Sequence, residues 1–222
     1  VPTVLAKNLA AVFRMTRTVL SKELLFRRYR LFSAGACRRL WPLLNEDGRR
    51  AVNIIEQYAG HPDKNLLSAA LVAANRSHAA AVETHLLVEL TGNLRTRLEA
   101  LAPVLACSAV KEATNSRASV VGRVSSEAST AVGAVEVVRR LPAEPALTYN
   151  DARRSPAELA AQASLFRDIF GNPFHPVSFS PDWRTETVTA LATGMYDARD
   201  FTPMPVLADA LEGAGCHERK GR

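Results

Sequence analysis

Residues 22–44 read KELLFRRYRLFSAGACRRLWPLL, and the fold class follows from how their apolar positions are spaced. Leu25, Tyr29, Phe32, Ala36, Leu40 and Leu43 step by 4, 3, 4, 4 and 3, which is the period of a helix burying one face. Pro42 ends or kinks that helix, because proline brings no backbone N–H. Asn45 then offers an N-cap to a second helix whose first turn holds Glu46 and Asp47, both favourable near the positive end of the dipole. That helix buries Val52, Ile55, Tyr58 and Ala59 and stops at Gly60-His61-Pro62. Towards the N-terminus, Leu5, Leu9, Val12 and Val19 are spaced for a helix in an extension over residues 1–20.

Downstream, residues 63–101 read as one long helix or two in series. Leu67, Leu71, Ala74, Ala81, His85 and Val88 form a stripe, with breaks expected at Gly92-Asn93 and at Pro103. Residues 113–138 are rich in β-branched side chains, which favours strand. Their stripe of Val120, Val124, Ala128, Ala131, Val135 and Val138 nevertheless keeps helical steps. Ser155-Pro156, with Glu158 three residues on, starts another helix that runs through Leu159, Ala163, Phe166 and Phe170 to Gly171. Ser180-Pro181 repeats the signal ahead of Val188, Leu191 and Met195, and a last short helix ends at Gly213 and Gly215. The expectation is an all-α, irregular multi-helix bundle. It divides into an N-terminal block (21–107), an Ala/Ser/Val-rich spacer with a proline-containing linker (108–154), a C-terminal block (155–216) and a disordered tail (217–222).

Composition agrees. Of 222 residues, 47% are hydrophobic and 23% charged, too apolar for a disordered chain. Alanine supplies 36 of them, which suits closely packed helices better than a sheet. Three cysteines with no C-x-x-C pair make neither a disulfide scaffold nor a zinc site, and fit a reducing cytoplasm. Lys7, Arg14, Arg17 and Lys22 interrupt the apolar residues of the first 26 positions, so no secretory leader is expected. The longest nearly continuous apolar stretch, 100–110, is half of what a bilayer span needs.

Two blocks resemble something known. Arg30-Leu31-Phe32, Cys37-Arg38-Arg39-Leu40-Trp41 and Glu56-Gln57-Tyr58-Ala59 form one. The other is Asp168-Ile169-Phe170-Gly171-Asn172-Pro173-Phe174-His175-Pro176-Val177, continued by Val206-Leu207-Ala208-Asp209-Ala210-Leu211-Glu212-Gly213-Ala214-Gly215-Cys216. Together, over roughly 24–60 and 157–216, they resemble a large family of planctomycete-type bacterial proteins whose end blocks flank a variable Ala-rich centre. The resemblance implies no activity, since none is assigned to that family. Its pattern continues past Ala-Gly-Cys with a polar helix and a His-Cys-Arg segment, whereas here Cys216-His217 leads into a short basic tail.

Charge supplies the first candidate site. Residues 1–50 carry 11 Lys and Arg against three acids, a net of +8, while the remainder is −2. Arg27, Arg28, Arg30, Arg38 and Arg39 crowd one helix and could contact successive phosphates, with Phe26, Tyr29, Phe32 and Trp41 interleaved. Pairing with Asp168, Asp197 or Asp209 would argue against that. The second candidate is Phe170, Gly171, Asn172, Pro173, Phe174 and His175, a turn pinned by two aromatic rings or a motif read by a partner. His78 and His85 are about two turns apart, too far to share a metal, and His85 with Glu89 is half a site at most. Cys37 beside Arg38 and Arg39 is either a buried thiol or an activated one, and Cys107 reads as core. Phosphate-loop, nucleophile-elbow, H-E-x-x-H and dinucleotide fingerprints are all missing, so no catalytic residue, metal or cofactor is expected. The reading is a non-catalytic cytoplasmic interaction protein with a protein partner. The alternatives are nucleic-acid or anionic-surface binding through the arginines, and an enzyme with an unrecognised site.

Overall fold

A computed structural model describes residues 22–115, 120–152, 155–171, 179–198 and 200–216. The chain divides into two compact units, Val1–Pro173 and Phe174–Arg222. The extension helix expected over 1–20 and the tail over 217–222 lie outside the described residues. Among the described residues every regular element is helical, and no helix is long and apolar enough to cross a membrane.

Among its described residues the first unit holds six α-helices: α1 (Lys22–Arg38), α2 (Glu46–Gly60), α3 (Lys64–Glu89), α4 (Leu94–Ala113), α5 (Val120–Arg140) and α6 (Pro156–Phe170). Consecutive helices pack on one another, and α1 also touches α4, α5 and α6. The α1 residues Leu25, Tyr29, Phe32 and Ala36, which the spacing selects, are buried, as is Leu40 just past its end, whereas Leu43 is only half-buried. A 3-10 turn at Trp41–Leu43 follows, as Pro42 dictates, and the Asn45 side chain accepts from Gly48 N to start α2. Asn93 caps α4 in the same way through Thr96 N.

Several expectations need correction. Pro103 does not break the chain. It sits inside α4, where Leu98, Ala102, Ala106, Cys107 and Val110 are all buried, and that packing offsets the missing hydrogen bond. Tyr58 is only half-buried. Residues 120–140 are helix, as the steps of their stripe indicate; the correction is to the spacer, since Val121, Val124, Ala128, Ala131, Ala134 and Val137 enter the core and make this segment a central element of the bundle. Ser155 caps α6 by accepting from Glu158 N, yet the box is half-made: the Glu158 carboxylate turns away to Arg39, and Ser155 N donates to Ser129 O. The block read as 155–216 spans the boundary between the two units.

Close helix approach depends on two glycines. A Cβ on Gly48 would stand 2.7 Å from Ser77 Oγ, and one on Gly35 2.8 Å from Leu165 Cδ2, so α2 meets α3 and α1 meets α6 at backbone range. The second unit contains a 3-10 turn (Pro181–Trp183) capped by Ser180, then α7 (Glu186–Ala198) and α8 (Met204–Gly213). Ser180-Pro181 therefore starts a turn, and Thr185 Oγ1, accepting from Val188 N, caps the helix itself. Val188 and Met195 are buried in α7, while α8 buries no residue fully.

Candidate functional site

The five arginines do not form a free cationic face. Arg30 is 7% exposed. Its Nη1 donates to Ala113 O at the end of α4, its guanidinium lies 4.9 Å over the Tyr58 ring, and burial lowers its pKa. Arg28 Nη1 donates to Phe170 O at the end of α6. Both guanidinium groups thus sit at helix C-termini, where orphan carbonyls and the dipole favour a cation. Arg38 reaches α2, with Nε donating to Glu56 Oε1 at 3.0 Å and Nη2 to Asn53 Oδ1 at 2.9 Å, while its guanidinium stacks 4.3 Å from the Trp41 ring. Arg39 makes three contacts of 3.0 Å with the Glu158 carboxylate, and these raise its pKa. The acids involved are Glu56 and Glu158, not the three aspartates the sequence suggested. Arg27 is exposed and borders a groove of about 710 Å³ lined also by Phe26, Tyr58, Ala59 and Pro62.

The turn candidate falls only in part within the described residues. Phe170 is buried, stacked on Phe166 at 4.2 Å and tilted on Tyr29 at 5.6 Å, so it pins α6 to α1. Gly171 takes φ 80°, a conformation that favours glycine, and its N–H closes the last turn on Arg167 O. Asn172, Pro173, Phe174 and His175 lie outside the described residues.

The two buried thiols are held in their neutral form. Cys37 is fully buried, and burial together with the nearby Cys107 drives its pKa up, so Arg38 and Arg39 do not activate it. Both guanidinium groups point away to carboxylates. Cys107 is buried as well, and burial likewise raises its pKa. The Ser77 hydroxyl donates to Asn45 Oδ1 at 2.6 Å and stands 3.0 Å from Cys107 Sγ. Cys107 borders a cavity of about 480 Å³ lined also by Asn45, Thr84, Glu99 and Pro103. Labelling with iodoacetamide at pH 8 is expected to modify Cys216, which is partly exposed, within minutes. Cys37 and Cys107 should react only after denaturation, as intact-mass spectrometry would show. Modification of all three thiols in the native protein would contradict this burial.

His85 Nε2 lies 3.5 Å from Glu89, and the carboxylate of the expected half-site is engaged by Arg97. Burial and the neighbouring Lys111 lower the pKa of His78. Among the described residues no group of three or more His, Cys, Asp or Glu could hold a metal ion.

One surface was missed in the sequence. The inner face of α3 is Ala70, Ala73, Ala74, Ser77 and Ala81, all buried. The opposite face carries Val72 (53% exposed), Ala79, Leu86 (59%) and Leu90 (89%), with Leu71 and Leu87 exposed on its shoulders. No family model, curated protein or solved structure matches this chain. The outer stripe escaped because α3 is apolar on both sides. The sequence stripe groups Leu71 with Ala74 and Ala81, whereas Leu71 is exposed and the slimmer alanines are the residues that let α3 pack. The signal available in the sequence was the seven-residue recurrence of Val72, Ala79 and Leu86.

Proposed function

We propose that the protein works by association with another protein and not by catalysis, with the outer face of α3 as its contact surface. The observation that carries this reading is the row of large aliphatic side chains, Val72, Leu86 and Leu90, left in water along a helix whose other face is fully packed. Contiguous exposed apolar surface rimmed by polar residues is typical of interaction sites. The chemistry elsewhere points the same way: the buried thiols are neutral, and the Glu89 carboxylate beside His85 is held by Arg97. Core cysteines kept as free thiols suit a reducing cytoplasm.

Nucleic-acid binding is the weaker reading. Arg28, Arg30, Arg38 and Arg39 each hold another helix or its carbonyls, which leaves Arg27 as the exposed cation of the set. A single phosphate contact supplies little affinity at physiological salt.

A photocrosslinking amino acid at position 86, installed in the source cells, tests the proposal. The expected result is a discrete protein adduct that is lost when the same group is placed at exposed Gln57 on α2. A bare chain after irradiation overturns the reading, and an adduct removed by nuclease moves it to nucleic acid.

A further inference from the structure

The outer stripe of α3 has an order that a merely apolar surface lacks. Val72, Asn75, Ala79, Val82 and Leu86 advance by 3, 4, 3 and 4. A second helix can pack knobs into holes along a seam of that spacing, and a lone polar residue such as Asn75 restricts its register. From Val72 to Leu90 the stripe is about 27 Å long at 1.5 Å per residue. Arg76 and Glu83, both exposed and seven residues apart, stand along one shoulder. The other shoulder is Leu71, His78 and His85, and its two histidines turn towards the bundle.

Resting on the association reading above, we infer that the occupant of this seam is a second copy of the chain, packed antiparallel with α3 against α3. A two-fold axis crossing the seam between Ala79 and Val82 keeps each shoulder on its own side. Arg76 of one copy then lies beside Glu83 of the partner subunit, and the pair forms twice. An isologous contact of this kind needs a self-complementary surface, and opposite charges at one heptad position provide it. A parallel pair would set Arg76 and Glu83 against Leu71, His78 and His85, leaving the charges without opposites. Arg76 donates through Nη2 to Asp47 of its own chain at 3.0 Å, and guanidinium carries further N–H donors for the carboxylate across the seam.

Sedimentation equilibrium of the full chain is expected to show a dimer at micromolar concentration. Leu86→Glu should weaken it more than 100-fold with helicity retained, since a charge would be trapped in the seam. Arg76→Glu and Glu83→Arg should each weaken self-association about tenfold, because two attractive contacts become repulsive. Mixing the two single variants should restore the dimer, since every shoulder pair again has opposite signs. Glu83→Arg leaves the Asp47 contact intact, so it separates seam charge from any change in the fold of Arg76→Glu. A monomer throughout, or single variants that dimerise as the parent does, overturns the inference. The crosslinker at position 86 separates the two levels. An adduct of twice the chain mass supports the second copy, an adduct of another mass alone overturns it while leaving association standing, and a bare chain overturns both.

Discussion

Phe32→Ala is expected to destabilise the first unit by about 4 kcal/mol, the upper part of the range for removing a buried aromatic ring. Phe32 is completely buried. Its ring meets Phe166 edge-on at 5.8 Å and 73°, within a cluster that includes Leu25, Tyr29, Val121 and Phe170. The residues come from α1, α5 and α6, so the void would open where three helices converge. No single neighbour can close it without leaving another contact. The T-shaped pair contributes roughly 0.5–1.5 kcal/mol beyond area burial, and this is lost too. Urea unfolding should show a lower midpoint with an unchanged slope, and the melting temperature should fall by about 10 °C. Phe26→Ala provides the comparison: it lies on the same helix but is 45% exposed, and its loss should be below about 1 kcal/mol. Equal effects for the two would mean that the α1–α6 contact is not where the bundle is held.

The residues behind that prediction show what can be read without coordinates. Leu25, Tyr29, Phe32, Ala36 and Leu40 were legible because helical period is a local property, and the Asn45 and Ser155 caps act within three residues of themselves. Partners were not legible. Arg39 meets Glu158 across 119 residues and Arg30 meets Ala113 O across 83, and no local pattern encodes such pairings. The arginines therefore read as a cationic face, although they radiate from α1 to separate helices. Alanine caused the other failure. Because it suits a core as well as a surface, the periodicity of α3 could not show that Ala70, Ala74 and Ala81 face inward while Leu86 and Leu90 face water. The valines of α5 did not mislead: their intrinsic strand preference is overridden by a stripe in helical register, which the sequence spacing already indicates.

A variant pair at the junction of α1 and α6 should expose the cost of a stranded charge. Arg39 is 44% exposed while Glu158 is 4% exposed, so the two ends of one ion pair have different access to water. Arg39→Met would leave the Glu158 carboxylate in the interior with one side-chain donor, Gln162 Nε2 at 3.0 Å, and the N-terminal turn of α6 for support. Removing one partner of a fully buried pair costs roughly 3–5 kcal/mol. The exposure of Arg39 already screens part of the attraction, so about 2–3 kcal/mol is expected here. Glu158→Gln should cost less, about 1 kcal/mol, because the amide keeps its size and an acceptor for Gln162 Nε2 while Arg39 swings into solvent. The combined variant decides between charge and contact. With Arg39→Met and Glu158→Gln together, no charge remains to be stranded, so the double variant should be more stable than Arg39→Met alone. Additive losses in chemical denaturation would mean instead that Arg39 supports α6 through the packing of its stem, and the ion pair would then be incidental to the docking of that helix.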